Sequence, residues 1–431
     1  MSPFELYAED GWVMLTATLC CVSCGLLGCF LVLRRMSLLG DAISHAVLPG
    51  LAVAFLLSGS RAALPMLLGA MLVGILTAFL TDTLARWARV PEDASMGVVF
   101  TSLFALGVVL ISYVAPQVDL DPDCVLHGQI LLVPYDVRSV FGIEIPYATL
   151  VLAVVTAVNI ALVAVFYKEL KVVSFDPYLA TTMGISATAV HYGLMAAVAG
   201  TTVASFESVG AILVVAMLIA PGATAHLLTD RLSRMLVLAA VSGAVSAVAG
   251  YLLAVYWNTE VAGMMSVVAG GQFALAAVFA PRYGYASRLA HQAALTLRIV
   301  REDMLGLLYR WHESGGRPAL SARDVRSAQG HGWIPIVALW LLFRRGEARR
   351  ENGDRVALTE AGLSSGRTLI RSHRLWESFL AQNLPLPPDH LHEPAMRAEH
   401  FVTPAVADRL DAEFGSDPDP HGSAIPRENS T

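Results

Sequence analysis

The sequence predicts an all-α polytopic membrane protein followed by a cytoplasmic, soluble-like region. Three observations carry this. Apolar residues make up 55% of the chain and charged residues 15%, too greasy and too charge-poor for an ordinary soluble protein. The charge is uneven: residues 1–290 hold 12 Lys/Arg and 17 Asp/Glu, and residues 291–431 hold 17 and 18. Apolar runs of spanning length recur at 12–33, 46–59, 63–84, 95–115, 147–167, 188–204, 207–228, 233–257 and 264–280. The expectation is a transmembrane domain of about nine helices at 1–290 and a second domain at 291–431. Neither part is strongly basic, so bulk charge does not argue for nucleic acid.

The first run follows Glu5, Glu9 and Asp10, with no basic segment before it, so no cleavable signal peptide is expected. Cys20, Cys21, Cys24 and Cys29 lie inside this run. Cys21 and Cys24 have CxxC spacing, but such motifs normally sit in polar loops, and small apolar packing is the better reading. Arg34 and Arg35 close the run. Similar basic pairs, Arg86/Arg89, Lys168/Lys171, Arg231/Arg234 and Arg282/Arg288, fall in alternate connections. The other connections hold only Arg61 and Arg138 and are acidic, with Asp119, Asp121, Asp123 and Glu260. Basic loops stay inside, so the amino terminus is expected outside and the tail in the cytoplasm.

The second run carries the first chemistry. Asp41 and His45 are spaced i, i+4, which places them on one helix face. A carboxylate and an imidazole in lipid are costly unless they pair, face water or bind something. Together they suit a borderline divalent metal such as manganese, zinc or ferrous iron. Pro49 and Gly50 suggest that this short span is broken.

The outer connection at 116–138 is rich in proline and acid and is expected to include a short helix over Val125–Leu132. It reads either as a landing site for an external partner or as a plain re-entrant connection. The inner connection at 174–185 reads as a short amphipathic helix. Asp176 can cap it, Pro177 fits its first turn and Gly184 can end it. It can dock another protein or be a simple interfacial turn. Glu207 is expected at the outer interface more than in the pathway, His226 at an inner helix end, and His191 at the interface.

Arg35–Gly50, with the order Gly40-Asp41-Ala42-Ile43-Ser44-His45-Ala46, resembles the signature of permeases in the manganese, zinc and iron ABC importer family. So do Phe175-Asp176-Pro177-Tyr178-Leu179-Ala180 through Gly184, Val209–Ala225, and Phe279-Ala280-Pro281-Arg282-Tyr283-Gly284. The resemblance covers about residues 10–285. It implies a permease paired with a second copy or a paralogue, and an ABC ATPase docked on the coupling helix through Phe175, Asp176, Pro177, Ala180 and Gly184. It also implies an extracytoplasmic metal-binding protein, and substrate-pathway roles for Asp41 and His45. No GxxxxGK[ST] loop occurs, so ATP hydrolysis is assigned to a separate subunit and no catalytic residue is expected here.

In the tail, Leu297–His312 reads as an amphipathic helix. Short helices follow over Leu320–Gln329 and Ile334–Phe343, then a hairpin at Ala348–Leu358 turning at Asn352-Gly353. Thr359 can cap a helix reaching Asn383, and Glu393–Val402 gives another. This is a winged-helix order over about 295–360, with further helices over about 361–427. His373 and Glu377 are at i, i+4, and His392, Met396, Glu399 and His400 follow within nine residues. Imidazole, carboxylate and thioether suit ferrous iron or manganese and tolerate zinc. The competing reading is a polar helix surface with chance histidines, of which the chain has 12.

Ser372–Glu377, Leu391–Val402, Glu302–Leu305, Leu358–Gly362 and Pro420–Pro426 resemble the diphtheria-toxin-repressor family of iron and manganese regulators. The resemblance implies a metal-binding and dimerisation domain holding manganese, iron or zinc, with no organic cofactor. It implies an ancillary site of His373, Glu377 and His392, and a primary site of Met304, Met396, Glu399 and His400. The segment at the place of a DNA-reading helix, Gly330–Leu342, is apolar and contains Pro335, whereas base reading needs polar side chains. DNA is therefore not expected as a partner. The reading that results is a permease subunit of an ATP-driven divalent-metal importer with a metal-sensing tail. The alternatives are a membrane-tethered, metal-dependent transcription regulator and a secondary carrier without an ATPase.

Overall fold

The computed structural model describes residues 3–59, 63–114, 128–140, 143–316, 319–351, 353–384, 387, 391–414 and 418–426. The chain forms two compact units, Met1–Ser287 and Arg288–Thr431.

The first unit contains nine segments, among the described residues, that are long and apolar enough to cross a membrane. Its helices are α1 (Pro3–Leu33), α2 (Ser37–Ala46), α3 (Leu48–Ser58), α4 (Ala63–Ala88) and α5 (Glu92–Val114). After an outer 3-10 turn (Ile130–Tyr135) and a hairpin of β1 (Val137–Val140) with β2 (Ile143–Pro146) come α6 (Tyr147–Val165), α7 (Tyr167–Phe175) and α8 (Pro177–Thr182). The unit ends with α9 (Ala187–Leu228), α10 (Leu232–Trp257) and α11 (Val261–Phe279).

Helix α1 is the axis of this bundle. It packs against α6, α9 and α10, and its cysteines, with Leu27, Phe30 and Leu31, are wholly buried. The four described cysteines are free thiols, as the packing reading expects. Lipid gives helices no hydrophobic reason to associate, so close approach and polar contacts hold the bundle. A methyl group on Gly28 would sit 2.0 Å from the Leu218 carbonyl oxygen, so only glycine lets α1 and α9 cross this closely. Asn159 on α6 donates to Ser23 on α1 and Thr201 on α9, both at 2.7 Å. Thr16 and Thr149 meet at 2.6 Å, and Gln272 on α11 joins Ser242 and Ser246 on α10 at 2.6 and 2.9 Å.

Two departures from uniform spans matter. The second span divides into α2 and α3, with Val47 between them and Pro49 at the start of α3, where a missing N–H costs nothing. The sixth and seventh apolar runs form one element, α9, broken at Gly210 (φ 78°, ψ 163°). That φ favours glycine. Val125–His127 and Asp119, Asp121 and Asp123, expected in the outer connection, lie outside the described residues. The hairpin β1–β2 and the helix α7 have no counterpart in the apolar pattern.

The second unit is carried by α12 (Tyr285–Glu313), which starts before the expected Leu297. It continues with α13 (Ala322–Ser327), α14 (Ile334–Arg344), the antiparallel pair β3 (Ala348–Glu351) and β4 (Arg355–Leu358), and α15 (Glu360–Asn383). Ser321 and Asp324 form a capping box on α13, and Thr359 caps α15 through the Gly362 N–H at 3.1 Å. Then come α16 (His392–Ala398), a 3-10 turn (Glu399–Phe401) and α17 (Pro404–Phe414), a helix that the sequence pattern did not predict. Met304, Leu305, Leu308, Val325, Ala338, Leu339, Leu342 and Val356 form the apolar core of the first half of this unit.

Candidate functional site

In the membrane unit, Asp41 and His45 lie one turn apart on α2. His45 Nε2 is 3.5 Å from Asp41 Oδ1, and both side chains are about two-fifths exposed. The opposite face of α2 is fixed by the buried Ala42, Ile43 and Ala46. Phe100 and Phe104 on α5 flank the imidazole, with ring centroids 6.2 and 6.0 Å away. One oxygen and one nitrogen donor therefore share an open face of an otherwise apolar helix.

At the other connection, Asp176 caps α8 by accepting from the N–H groups of Tyr178 (3.0 Å) and Leu179 (2.9 Å). Gly184 (φ 82°) ends it, with the Ile185 N–H donating to the Ala180 carbonyl at 2.9 Å. Ala180 is buried, while Phe175, Tyr178, Leu179 and Met183 are exposed. The result is a short, firmly capped element presenting apolar side chains. His226 is exposed at the end of α9. His191, expected at the interface, is instead buried with Nε2 3.7 Å from Asp82 on α4. The side chain of Glu207 lies outside the described residues.

The tail gathers a larger donor set. Asp303 on α12 and Glu399 and His400 on the turn after α16 bring one donor atom each within 4.8 Å of one another, close enough for one ion to touch all three. His400 Nδ1 lies 2.9 Å from Glu302 and its Nε2 3.2 Å from Asp303. Arg298 holds the turn by donating to the His400 carbonyl at 3.2 Å. His373 on α15 places Nδ1 2.5 Å from Glu399 and Nε2 3.7 Å from Glu377. His421 reaches Glu377 at 3.3 Å. The turn bearing His421 is tied by Asp419, which accepts from the N–H groups of His421 (3.0 Å) and Ser423 (2.6 Å). Arg374 anchors the same segment: it pairs bidentately with Glu313 at 3.0 and 2.6 Å and donates to the Ala424 carbonyl at 2.7 Å.

Burial alone would lower the His400 pKa. Asp303, Glu302 and Glu399 outweigh it and push the pKa up to about 9. Burial likewise raises Glu302, but its bonds from His400 and Arg298 bring it below the ordinary carboxylate value. The pocket thus carries excess negative charge and draws a cation, a proton on His400 or a metal. Carboxylate and imidazole donors fit manganese, iron or zinc.

The structure sorts the expected ligands. Glu399 and His400 come together, and His373 and Glu377 join them through Glu399. Met304 is wholly buried in the apolar core, and its neighbour Asp303 turns about 100° around the helix to face His400. Met396 is 36% exposed on α16, and the side chain of His392 lies outside the described residues. Asp303, Glu302 and His421 are the groups that sequence reasoning missed. The available signal was the position of Glu302 and Asp303 immediately before Met304, one residue along the helix from the expected thioether.

Residues 10–280 match the family described as the ABC 3 transport family. The chain belongs to that family. Residues 359–427 of this permease match a second family, the iron dependent repressor metal binding and dimerisation domain. Among relatives, the manganese transport system membrane protein MntD of Bacillus subtilis is 49% identical over 276 residues, covering 64% of the permease and 93% of that protein. The zinc transport system membrane protein TroD of Treponema pallidum is 43% identical over 360 residues, covering 82% and 96%. Among solved structures, PsaBC from Streptococcus pneumoniae in complex with Fab aligns with a TM-score of 0.55 and 33% identity, over 64% of the permease and 93% of that chain.

Proposed function

We propose that this permease subunit moves a divalent transition metal, manganese, zinc or iron, into the cell, and that its tail senses the same class of ion. The observation that carries the reading is the Asp41/His45 pair at 3.5 Å, open on one face of a membrane helix in a chain whose relatives are named for manganese and zinc transport. An ABC ATPase is the proposed partner on α8, whose cap makes it a firm lever and whose exposed Phe175, Tyr178 and Met183 give it a surface to grip. An extracytoplasmic metal-binding protein delivers the ion, and a second permease copy or paralogue closes the open side of α2. The alternation of basic and acidic connections supports an outer amino terminus and a cytoplasmic tail.

In the tail, Asp303, Glu399 and His400 hold the first ion. His373, Glu377 and His421 supply a neighbouring donor set that shares Glu399. A bound ion would supply a charge bridge between α12, the turn after α16 and α15. By linkage it biases the tail only as far as it binds one arrangement more tightly than another. Feedback inhibition is the proposed sign. No observation favours transcriptional regulation, because α14 exposes apolar rather than base-reading side chains.

The test is manganese, zinc and iron uptake by proteoliposomes holding the permease with its ATPase. Asp41→Ala with His45→Ala is expected to abolish uptake while assembly with the ATPase persists. Separately, Glu399→Ala with His400→Ala is expected to relieve inhibition by metal on the tail side, and unchanged inhibition rejects sensing by the tail.

A further inference from the structure

Helix α14 has two unlike faces. One face, Pro335, Ala338, Leu339 and Leu342, is buried in the core of the tail. The other is a stripe at i, i+3 and i+7: Trp333, Ile336 and Trp340 are 61, 52 and 53% exposed. The end of α14 and the hairpin after it carry five exposed arginines, Arg344, Arg345, Arg349, Arg350 and Arg355, against three exposed acids, Glu351, Asp354 and, at the start of α15, Glu360. Arg344 lies over the Trp340 ring at 5.1 Å and Arg350 over Phe343 at 5.5 Å.

We propose that this face docks on anionic lipid headgroups of the membrane in which the chain is embedded. Three arguments select that occupant. Indole rings, apolar in body with one N–H donor, partition to the headgroup level, and exposed arginines are attracted to anionic lipid there. The last span ends at Phe279 and the tail's first helix starts at Tyr285, so the tail is held at high effective concentration beside the bilayer. A second copy is a poorer fit, because two-fold pairing would set one arginine rim against another. Duplex DNA would satisfy the arginines but leave the indoles and Ile336 without an apolar partner. Docking there ties this face of the tail to lipid rather than to nucleic acid. This proposal does not depend on the tail's metal sites.

The test uses the full chain in nanodiscs. A nitroxide is placed by Ile336→Cys in a Cys124→Ser background, the other four cysteines being buried. A second label by Arg323→Cys, at an exposed position on α13, is the control. Electron paramagnetic resonance compares accessibility to oxygen and to a nickel chelate. In discs containing phosphatidylglycerol the label at 336 is expected to be oxygen-rich and shielded from nickel, and the label at 323 open to nickel. High salt or pure phosphatidylcholine reverses the result at 336. Arg344→Gln and Arg345→Gln, both at exposed positions, each lower the docked-to-free ratio by about fivefold. Equal nickel accessibility in both lipids overturns the proposal. So does dipolar broadening between labels, which assigns the face to a second copy, or shielding that appears only when duplex DNA is added.

Discussion

In the proposed tail site a proton and a metal ion would compete for the His400 nitrogens. His400 faces Glu302, Asp303 and Glu399, which hold its pKa near 9 in spite of its burial. A raised pKa means that the protonated form stabilises the metal-free fold. That stabilisation is fully present below the ordinary histidine value of about 6.5 and is lost as pH rises through about 9. Thermal unfolding of the metal-free chain, followed at the tail, is therefore expected to fall between pH 7 and 9.5, and His400→Gln to flatten the slope. Metal uptake has the opposite dependence, since binding expels the proton. Titration calorimetry at pH 7 in buffers of different ionisation enthalpy is expected to show proton release, and its absence would remove His400 from the ligand set. At this scale the spacing of His373 with Glu377 and of Glu399 with His400 was legible. The partner carboxylates from α12 were not, because they come from about one hundred residues earlier and meet His400 only after folding.

Among the elements, α8 is the clearest case of local sequence deciding local structure. Its cap, first-turn proline and terminal glycine lie within nine residues and each acts on its neighbours alone. Asp176→Ala is expected to destabilise this helix by about 1 kcal/mol and to lower transport more than ATP hydrolysis, because the lever loosens while the motor is intact. Equal losses in both would assign Asp176 to ATPase assembly instead. The α1–α9 crossing was not legible in the apolar pattern, which marks a span but not its neighbour. Its determinant is the contact of Gly28 with the Leu218 backbone. Gly28→Ala is expected to destabilise the bundle by about 1–3 kcal/mol, as overpacking does, measured as a loss of thermal stability in detergent. A break between the sixth and seventh apolar runs was legible in the sequence at about residues 205–206, but its position was not: the backbone turns at Gly210, a few residues into the seventh run.

For the whole molecule, the proposal is an ATP-driven conduit joined to a sensor of its own cargo. The chain forms two compact units, Met1–Ser287 and Arg288–Thr431, and charge is sparse along the first and dense along the second, since lipid excludes charge and water admits it. The central claim is that the conduit carries metal past Asp41 and His45. It is tested most directly by radioactive manganese uptake into proteoliposomes that contain the permease and its ATPase, with ATP hydrolysis recorded in the same samples. With Asp41→Ala and His45→Ala together, uptake is predicted to fall by at least about tenfold, the loss that even supporting groups around a metal produce, while ATP hydrolysis continues. Full-rate uptake by the double variant would contradict the account.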